Sequence, residues 1–171
     1  MRVGVWQGLA DGDPDVDAIY RLTNNMPCLF DEREPVVLAK GTACPFNSQN
    51  TLFRKELFPL LYLPCTVTFR FTDILRGLVA QPIMWFYDYH LGFTKATVLQ
   101  ERNPHDYLKD FESEIPCYLH TRPVMELVGG AIRSSYALAD NLYQAYEALQ
   151  AHGYVEKDEL AILAAWLKDV A

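Results

Sequence analysis

The sequence of 171 residues lacks several features that would assign it to a specialised class of protein. It has no run of about 18 consecutive apolar residues, so we expect no membrane-spanning helix. It also has no excess of basic residues, since 15 lysines and arginines face 22 acidic residues and give a net charge of −7. This balance argues against a general nucleic-acid binder and against docking on anionic lipid. Acidic residues come too early for a secretory signal, so we expect a cytoplasmic protein.

Cysteine is scarce, and its four residues form neither a CxxC pair nor a spacing typical of zinc sites. We therefore expect free, mostly buried thiols and no bound structural metal. The sequence contains no GxGxxG segment, no P-loop and no GxSxG motif. What remains is a chain in which half the residues are apolar, and it is long enough to bury a core without disulfides.

The hydrophobic pattern predicts mixed α and β structure followed by helices. Short strands are predicted at residues 2–7, 36–39, 67–71 and 93–99. Helices are predicted at residues 54–62, from Asp73 to a stop or kink at Pro82, and at residues 103–114. Two later stretches with helical spacing predict an antiparallel helical hairpin, with Gly153 at the end of its first helix. We expect one domain, an α/β half over residues 1–121 and the hairpin over residues 122–171.

Four aspartates alternate along an acidic loop near the N-terminus, at Asp11, Asp13, Asp15 and Asp17. Alternating carboxylates are typical of calcium loops, but the glycine and the distal glutamate of an EF-hand are not at the required positions. The residues between the aspartates indicate turns. Two interpretations stay open, a cation site or a solvated loop in which one aspartate caps the next element.

A cluster of polar side chains lies between apolar segments at Asn47, Ser48, Gln49 and Asn50. Amides and hydroxyls both donate and accept hydrogen bonds, which suits sugar hydroxyls, and ordinary turn formation with helix capping is the alternative. Further along, FRFTDILRG places Asp73 where a predicted strand leads into a helix. A carboxylate there can take a proton from a substrate hydroxyl, or it can simply complement the helix dipole.

Five segments, taken in order, resemble the plant STELLO family of glycosyltransferases and its microbial relatives. They are VGVWQGLADGDPDVDAIYRL, KGTACPFNSQNTLFRKELFPLLYLP, FRFTDILRG, LQERNPHDYLKDFESEIPCYL and LAAWLKDV. The similarity extends from about residue 3 to residue 170. The stretch NTLFRKE, followed by a helix-initiating aspartate, is similar to the second half of A-type glycosyltransferases. A weaker similarity reaches the reversibly glycosylated polypeptides, which include UDP-arabinopyranose mutases.

The resemblance implies an α/β fold with part of an A-type glycosyltransferase sheet. It implies that Asp73 is the base or the acceptor-binding acid, and that residues 47–50 line the cleft for donor and acceptor. Arg76, in the same segment as Asp73, and Arg102 are further substrate-binding candidates, although an ion pair is the alternative for Arg102. The nucleotide-binding half with its D-x-D metal motif is expected to precede the first segment. We therefore expect no cofactor in the isolated chain and a divalent cation in a complete enzyme.

The function implied is that of a glycosyltransferase-like protein, incomplete by itself, related to enzymes that use a nucleotide sugar and a carbohydrate acceptor. A non-catalytic binding module that kept the fold, or a fragment of a longer glycosyltransferase, is the alternative. The strand at residues 36–39 shows no alternation, which is typical of a strand covered on both faces. We expect this strand and the first one to lack neighbours within the chain. A homodimer or a donor-binding partner chain is therefore expected, unless the hairpin covers the exposed face.

Overall fold

Two long parallel strands form the centre of the sheet in the computed structural model, which describes residues 1–24 and 26–170. The four strands are β1 (Arg2–Gly12), β2 (Val36–Val37), β3 (Thr51–Phe53) and β4 (Tyr89–Gln100). Their order across the sheet is β2-β4-β1-β3, and the two short edge strands are antiparallel to their neighbours. The mixed α/β class predicted from the sequence is confirmed, and the open four-stranded sheet is compatible with part of a glycosyltransferase fold.

Helices pack against one face of this sheet. The α-helices are α1 (Ala18–Thr23), α2 (Thr72–Phe86), α3 (Tyr107–Ala131), α4 (Leu138–Ala151) and α5 (Glu159–Asp169). Two 3-10 helices, Lys55–Leu61 and Phe69–Phe71, lie between β3 and α2. Among the described residues, no helix combines the length and the apolar character that crossing a bilayer requires.

The helix α2 is the central element of the core. All its residues from 75 to 84 are buried, and it contacts β4 as well as α3 and α4. A helix enclosed in this way is stabilised by packing on all sides, which outweighs the loss of a backbone hydrogen bond at a proline. Pro82 therefore lies inside α2, so of the two outcomes predicted there, a stop or a kink, the stop is wrong. The face of the sheet that packs on α2, here called the inner face, carries the buried Val5 and Leu91.

Two strand predictions are corrected by the structure. Residues 69–71 form a 3-10 turn, in which the N–H of Phe71 donates to the carbonyl of Thr68. Phe69 is 90% exposed, so the alternation of apolar residues there did not mark a buried strand face. In β2, Val36 is 57% exposed because the strand is an edge of the sheet. The expected burial on both faces is therefore wrong for β2.

The sequence suggested that the first strand lacks neighbours within the chain, and the structure corrects this expectation. Instead β1 has β4 on one side and β3 on the other, so it finds both neighbours within this chain. The strand β4 begins at Tyr89, shortly after α2, and pairs in parallel with β1 although the two strands are far apart in the sequence. An unfilled edge beside β1 can therefore not be the reason for association.

The C-terminal hairpin consists of α4 and α5. Gly153 has a φ of 76° and follows α4, and the N–H of Tyr154 donates to the carbonyl of Leu149, which confirms the predicted helix end. The preceding helix α3 is longer than expected and continues across residue 122. The division placed between residues 121 and 122 thus falls inside a helix.

Candidate functional site

A cleft of about 1040 Å³ opens beside the inner face of the sheet. Residues 7–10 of β1 and Phe93 of β4 contribute to its floor. The loop at residues 45–48, the start of α2 and residues of α3 complete the lining. Its polar lining residues include Asn47, Ser48, Arg70, Asp73, Arg102 and Glu114.

Asp73 lies in the first turn of α2 and lines this cleft. Its Oδ2 accepts a hydrogen bond from the backbone N–H of Ser48, over 2.9 Å. The predicted position of Asp73, at a helix start and beside the polar loop, is therefore confirmed. One carboxylate oxygen is held by the loop, which leaves the other for a ligand.

Gln7 holds the polar loop from the inner face of β1. Its Oε1 accepts hydrogen bonds from the N–H of Asn47 at 3.2 Å and from the hydroxyl of Thr51 at 3.0 Å. Gln7 is buried, and these contacts supply the hydrogen bonds that its amide oxygen would otherwise make to water. Sequence reasoning missed Gln7, because a lone glutamine in a strand gives no signal of what it will contact.

The four polar loop residues separate onto different surfaces. Asn47 and Ser48 line the cleft. The Oε1 of Gln49 accepts the N–H of Asp15 at 3.4 Å, so Gln49 braces the acidic loop. Asn50 donates to Leu9 O and to Thr97 Oγ1, and it lines a different depression. The structure thus brings two of the four candidates to the cleft.

Arg76 is buried behind the wall of the cleft. Its Nη1 donates to the hydroxyl of Ser48 over 2.9 Å, and its guanidinium carbon lies 5.5 Å from the ring centre of Phe46 and 5.4 Å from that of Phe53. Among the described residues, neither its Nε nor its Nη2 has a hydrogen-bond partner. Burial lowers the pKa of Arg76, while the charge of Asp73 acts in the opposite direction. Arg76 therefore reaches the cleft through Ser48 and not directly.

Arg102 lines the cleft and forms an ion pair there. Its Nη2 lies 2.9 Å from Oδ1 of Asp15, and the side chain is largely buried. The same aspartate oxygen lies 3.5 Å from Nη1 of Arg70. Arg102 thus lines the cleft and forms the ion pair that was the alternative, and its binding of a substrate stays a prediction.

Arg70 and Glu114 join α3 to the segment before α2. Arg70 pairs with Asp110 and with Glu114, whose Oε1 lies 3.5 Å from Nη1 of the arginine. The other oxygen of Glu114 accepts the N–H of Ala18 at 2.7 Å. Burial raises the pKa of Glu114, although the Ala18 hydrogen bond and Arg70 oppose that shift. These residues were missed by sequence reasoning, since their partners lie tens of residues away.

The four alternating aspartates each have a separate partner. Asp13 pairs with Arg21, Asp15 with Arg102, Asp11 accepts the N–H of Phe30, and Asp17 caps α1 through the N–H of Tyr20. Across residues 1–24 and 26–170, no three His, Cys, Asp or Glu side chains are grouped so that they could hold a metal ion. The structure therefore favours the interpretation of a braced and capped loop over that of a cation site.

The cleft carries more negative than positive charge. Its lining includes five carboxylates and two arginines, listed here as Asp15, Asp17, Asp73, Asp110, Glu114, Arg70 and Arg102. A surface with such an excess disfavours an anionic ligand such as a free diphosphate, whereas a neutral polar ligand carries no such penalty.

Comparison with known proteins agrees with the resemblance seen in the sequence. The family model of the STELLO glycosyltransferases matches residues 70–171, more than half of the chain. The chain belongs to the STELLO glycosyltransferase family. The matched residues include Asp73, Arg76 and Arg102.

Two relatives of this STELLO family chain come from Arabidopsis thaliana. Over 174 residues the chain is 26% identical to "Probable glycosyltransferase STELLO1", and over 179 residues it is 28% identical to "Probable glycosyltransferase STELLO2". Each alignment covers 97% of this chain and 22% of the relative. The chain thus spans about a fifth of the length of the curated relatives it matches.

Proposed function

We propose that the cleft binds the carbohydrate acceptor of a sugar transfer, and that Asp73 is the general base of that reaction. One observation carries the proposal: the Asp73 carboxylate is held by the Ser48 N–H at the start of α2, beside the polar groups of Asn47 and Ser48. Membership of a glycosyltransferase family supports the reaction class. A nucleotide sugar is the donor that this class implies.

The proposed step transfers one proton and one glycosyl group. The acceptor hydroxyl gives its proton to the free oxygen of Asp73 while its own oxygen forms a bond to the anomeric carbon of the donor. The bond between that carbon and the nucleotide diphosphate breaks, and the diphosphate leaves with the electron pair. Asn47 and Ser48 hydrogen-bond neighbouring hydroxyls of the acceptor, and Arg76 positions Ser48.

The charge of the cleft supports the assignment of the acceptor, and not of the diphosphate, to this surface. Phosphate recognition depends on donors and cations that offset concentrated negative charge. Both cleft arginines, Arg70 and Arg102, are already paired with carboxylates. We therefore place the donor diphosphate outside the cleft, and we expect the isolated chain to transfer sugar slowly or not at all.

The test combines binding and turnover. Amide resonances of the labelled chain are followed while neutral hexasaccharides of glucose, mannose and xylose are added. We expect saturable shifts at Asn47, Ser48 and Asp73, and we expect Asp73→Asn to lower any transfer from UDP-glucose, UDP-galactose or UDP-arabinose by roughly 100-fold. The matched control is Asp88→Asn, at an exposed position outside the cleft.

Two results would overturn the proposal. One is the absence of saturable shifts at the three cleft residues with every sugar tested. The other is transfer by the Asp73→Asn variant at the rate of the unaltered chain. Sugar binding without any transfer, in the chain joined to the rest of a family enzyme, would point instead to a binding module that kept the fold.

We also propose that the chain associates with a second copy or with a donor-binding partner through α3. Leu108, Ile115 and Leu119 lie at helical spacing on one face of α3, and they are 69%, 39% and 64% exposed. Ile19 and Leu22 of α1, which packs against α3, are exposed as well. Exposed apolar patches of this kind mark interaction surfaces.

A further inference from the structure

We infer that a second carbohydrate-binding site lies on the face of the sheet opposite the Asp73 cleft, with the indole of Trp6 as its platform. Adjacent residues of a strand point to opposite faces, and Gln7 of β1 faces the cleft. Trp6 therefore faces away from it, and lines a depression of about 710 Å³ together with Asn50, Thr94 and Thr97. This site goes beyond the proposed function, because no residue of the catalytic proposal contributes to it.

Glycine at position 92 explains how Trp6 lies against the sheet. Gly92 of β4 pairs in register with Trp6 of β1, so the two residues are neighbours on this face. A Cβ added to Gly92 would lie 2.4 Å from Cζ3 of Trp6, 2.5 Å from Cε3 and 3.0 Å from Cη2. Three adjacent ring atoms so close to one point show that the ring lies face-on over the glycine. The other face of the indole is therefore turned toward the depression.

Asn50 lies against Gly8 in a similar way. A Cβ added to Gly8 would lie 2.3 Å from Nδ2 of Asn50, so the amide can lie over the strand only because position 8 has no side chain. Its Nδ2 donates to Leu9 O at 3.2 Å and to Thr97 Oγ1 at 2.8 Å. With both amide hydrogens engaged, the group of Asn50 that can serve a ligand is its carbonyl oxygen, an acceptor for a hydroxyl.

The charges around Trp6 balance each other. The lining includes two acidic residues, Glu32 and Glu34, and two basic residues, Arg33 and Lys95. Lys95 pairs with Glu32, and Arg33 pairs with Asp31. Both cations of the lining are thus already paired with carboxylates, so the surface does not select a phosphate or another anion. The site therefore fits a neutral ligand.

A pyranose sugar matches this combination of surfaces. The axial C–H groups of a pyranose form a flat apolar face that stacks on an aromatic ring, while its equatorial hydroxyls point outward to polar groups. Here the ring is Trp6, and the groups within the same depression are the Asn50 carbonyl oxygen, the Thr94 hydroxyl and the exposed charged side chains. The ligand class is thus a neutral oligosaccharide.

The experiment follows the indole N–H resonances of the three tryptophans while neutral hexasaccharides of glucose, mannose and xylose are added. We expect the Trp6 signal to shift with a Kd on the order of 1 mM for at least one sugar. The Trp166 signal should stay in place, because its N–H is bonded to Pro59 O at 3.0 Å. Trp6→Ala, followed on the backbone amide resonances of Asn50 and Thr94 in the same depression, should weaken binding by roughly tenfold, and Trp166→Phe should leave it unchanged.

Variants separate this site from the Asp73 cleft. Asp73→Asn should leave the shift of the Trp6 signal unaltered, whereas Gly92→Ala should weaken it, since the added methyl group would displace the ring. The inference is overturned if no sugar moves the Trp6 signal. It is equally overturned if Asp73→Asn abolishes the shift, since the sugar would then occupy the cleft alone. If Trp6→Ala does not fold, the indole shift in the unaltered chain decides.

Discussion

The backbone N–H of Ser48 donates to Oδ2 of Asp73 over 2.9 Å, while the hydroxyl of the same serine accepts from Arg76, also over 2.9 Å. One loop residue thus joins the proposed base to a buried cation. Arg76 keeps two nitrogens without partners among the described residues. A buried arginine satisfied so incompletely costs free energy, which is typical of residues retained for function.

Removing this arginine should therefore not weaken the fold. We expect Arg76→Met to leave the free energy of unfolding unchanged or to raise it by about 1–2 kcal/mol, because methionine fills the space between Phe46 and Phe53 without a buried charge. The same variant should weaken the acceptor-induced shift at Ser48. Urea denaturation and the amide titration measure the two effects. A loss of about 3 kcal/mol would contradict the assignment.

Ser48→Ala tests the coupling between the two residues. The variant removes the hydroxyl that Arg76 uses and keeps the N–H that Asp73 uses. We expect it to cost about 1–2 kcal/mol in the unaltered chain, because a charged group loses an acceptor. In the Arg76→Met background the cost should fall below about 0.5 kcal/mol. Equal costs in both backgrounds would show that the contact contributes nothing.

Glu159 should be important for the attachment of the C-terminal hairpin. It is fully buried at the start of α5, and it accepts the N–H of Cys65 at 3.0 Å and of Thr66 at 2.8 Å, as well as the hydroxyl of Tyr62. Glu159→Ala leaves these donors without their acceptor, so we expect a loss of roughly 2–4 kcal/mol in urea denaturation. The exposed Glu156→Ala should change stability by less than about 0.5 kcal/mol. Similar values for both variants would refute this role.

The raised pKa of Glu114 predicts a pH dependence of stability. Burial favours the protonated carboxyl in the folded chain, so its stabilising contribution is present below the ordinary glutamate pKa and is lost as the pH rises through the folded value. Relative to Glu114→Gln, the unaltered chain should therefore lose stability as the pH rises from about 4 toward 8. Urea denaturation across this range measures the difference. The control is Glu112→Gln at an exposed position of the same helix. A gain of stability with rising pH would contradict the prediction, because it would show that the charge of Arg70 outweighs burial in setting the pKa of Glu114.

The exposed face of α3 predicts association. Light scattering at micromolar concentration should detect a species near twice the chain mass of 19.6 kDa, or a stable complex with a partner. Leu119→Lys should return the chain to a monomer, because a charge would be buried in the interface. The exposed Glu156→Lys, which lies outside α3 and α1, should not. A single species of 19.6 kDa with no partner recovered would contradict the proposal.

Several local elements could be predicted from the sequence because their causes are local. The spacing of apolar residues identified α4 and α5, and Gly153 marked the end of α4. The acid in FRFTDILRG marked the start of α2, although the segment before it is a 3-10 turn and not a strand. The family was identified from five ordered segments and confirmed by comparison. The expected cytoplasmic location stays a prediction.

The tertiary structure decided which polar residues meet. Asn47 and Ser48 reach the cleft, while Asn50, two residues further on, lies on the opposite face of the sheet. The cause is the alternation along β1. The Gln7 side chain accepts the N–H of Asn47 on the cleft face, whereas the Asn50 amide lies over Gly8 on the other face. Local sequence patterns were enough to predict the helix start at Asp73 and the period of the C-terminal helices. The pairing of β1 with β4 and the contact between Arg70 and Glu114 join segments more than 40 residues apart. Such contacts depend on how all the elements pack together, which no local pattern encodes.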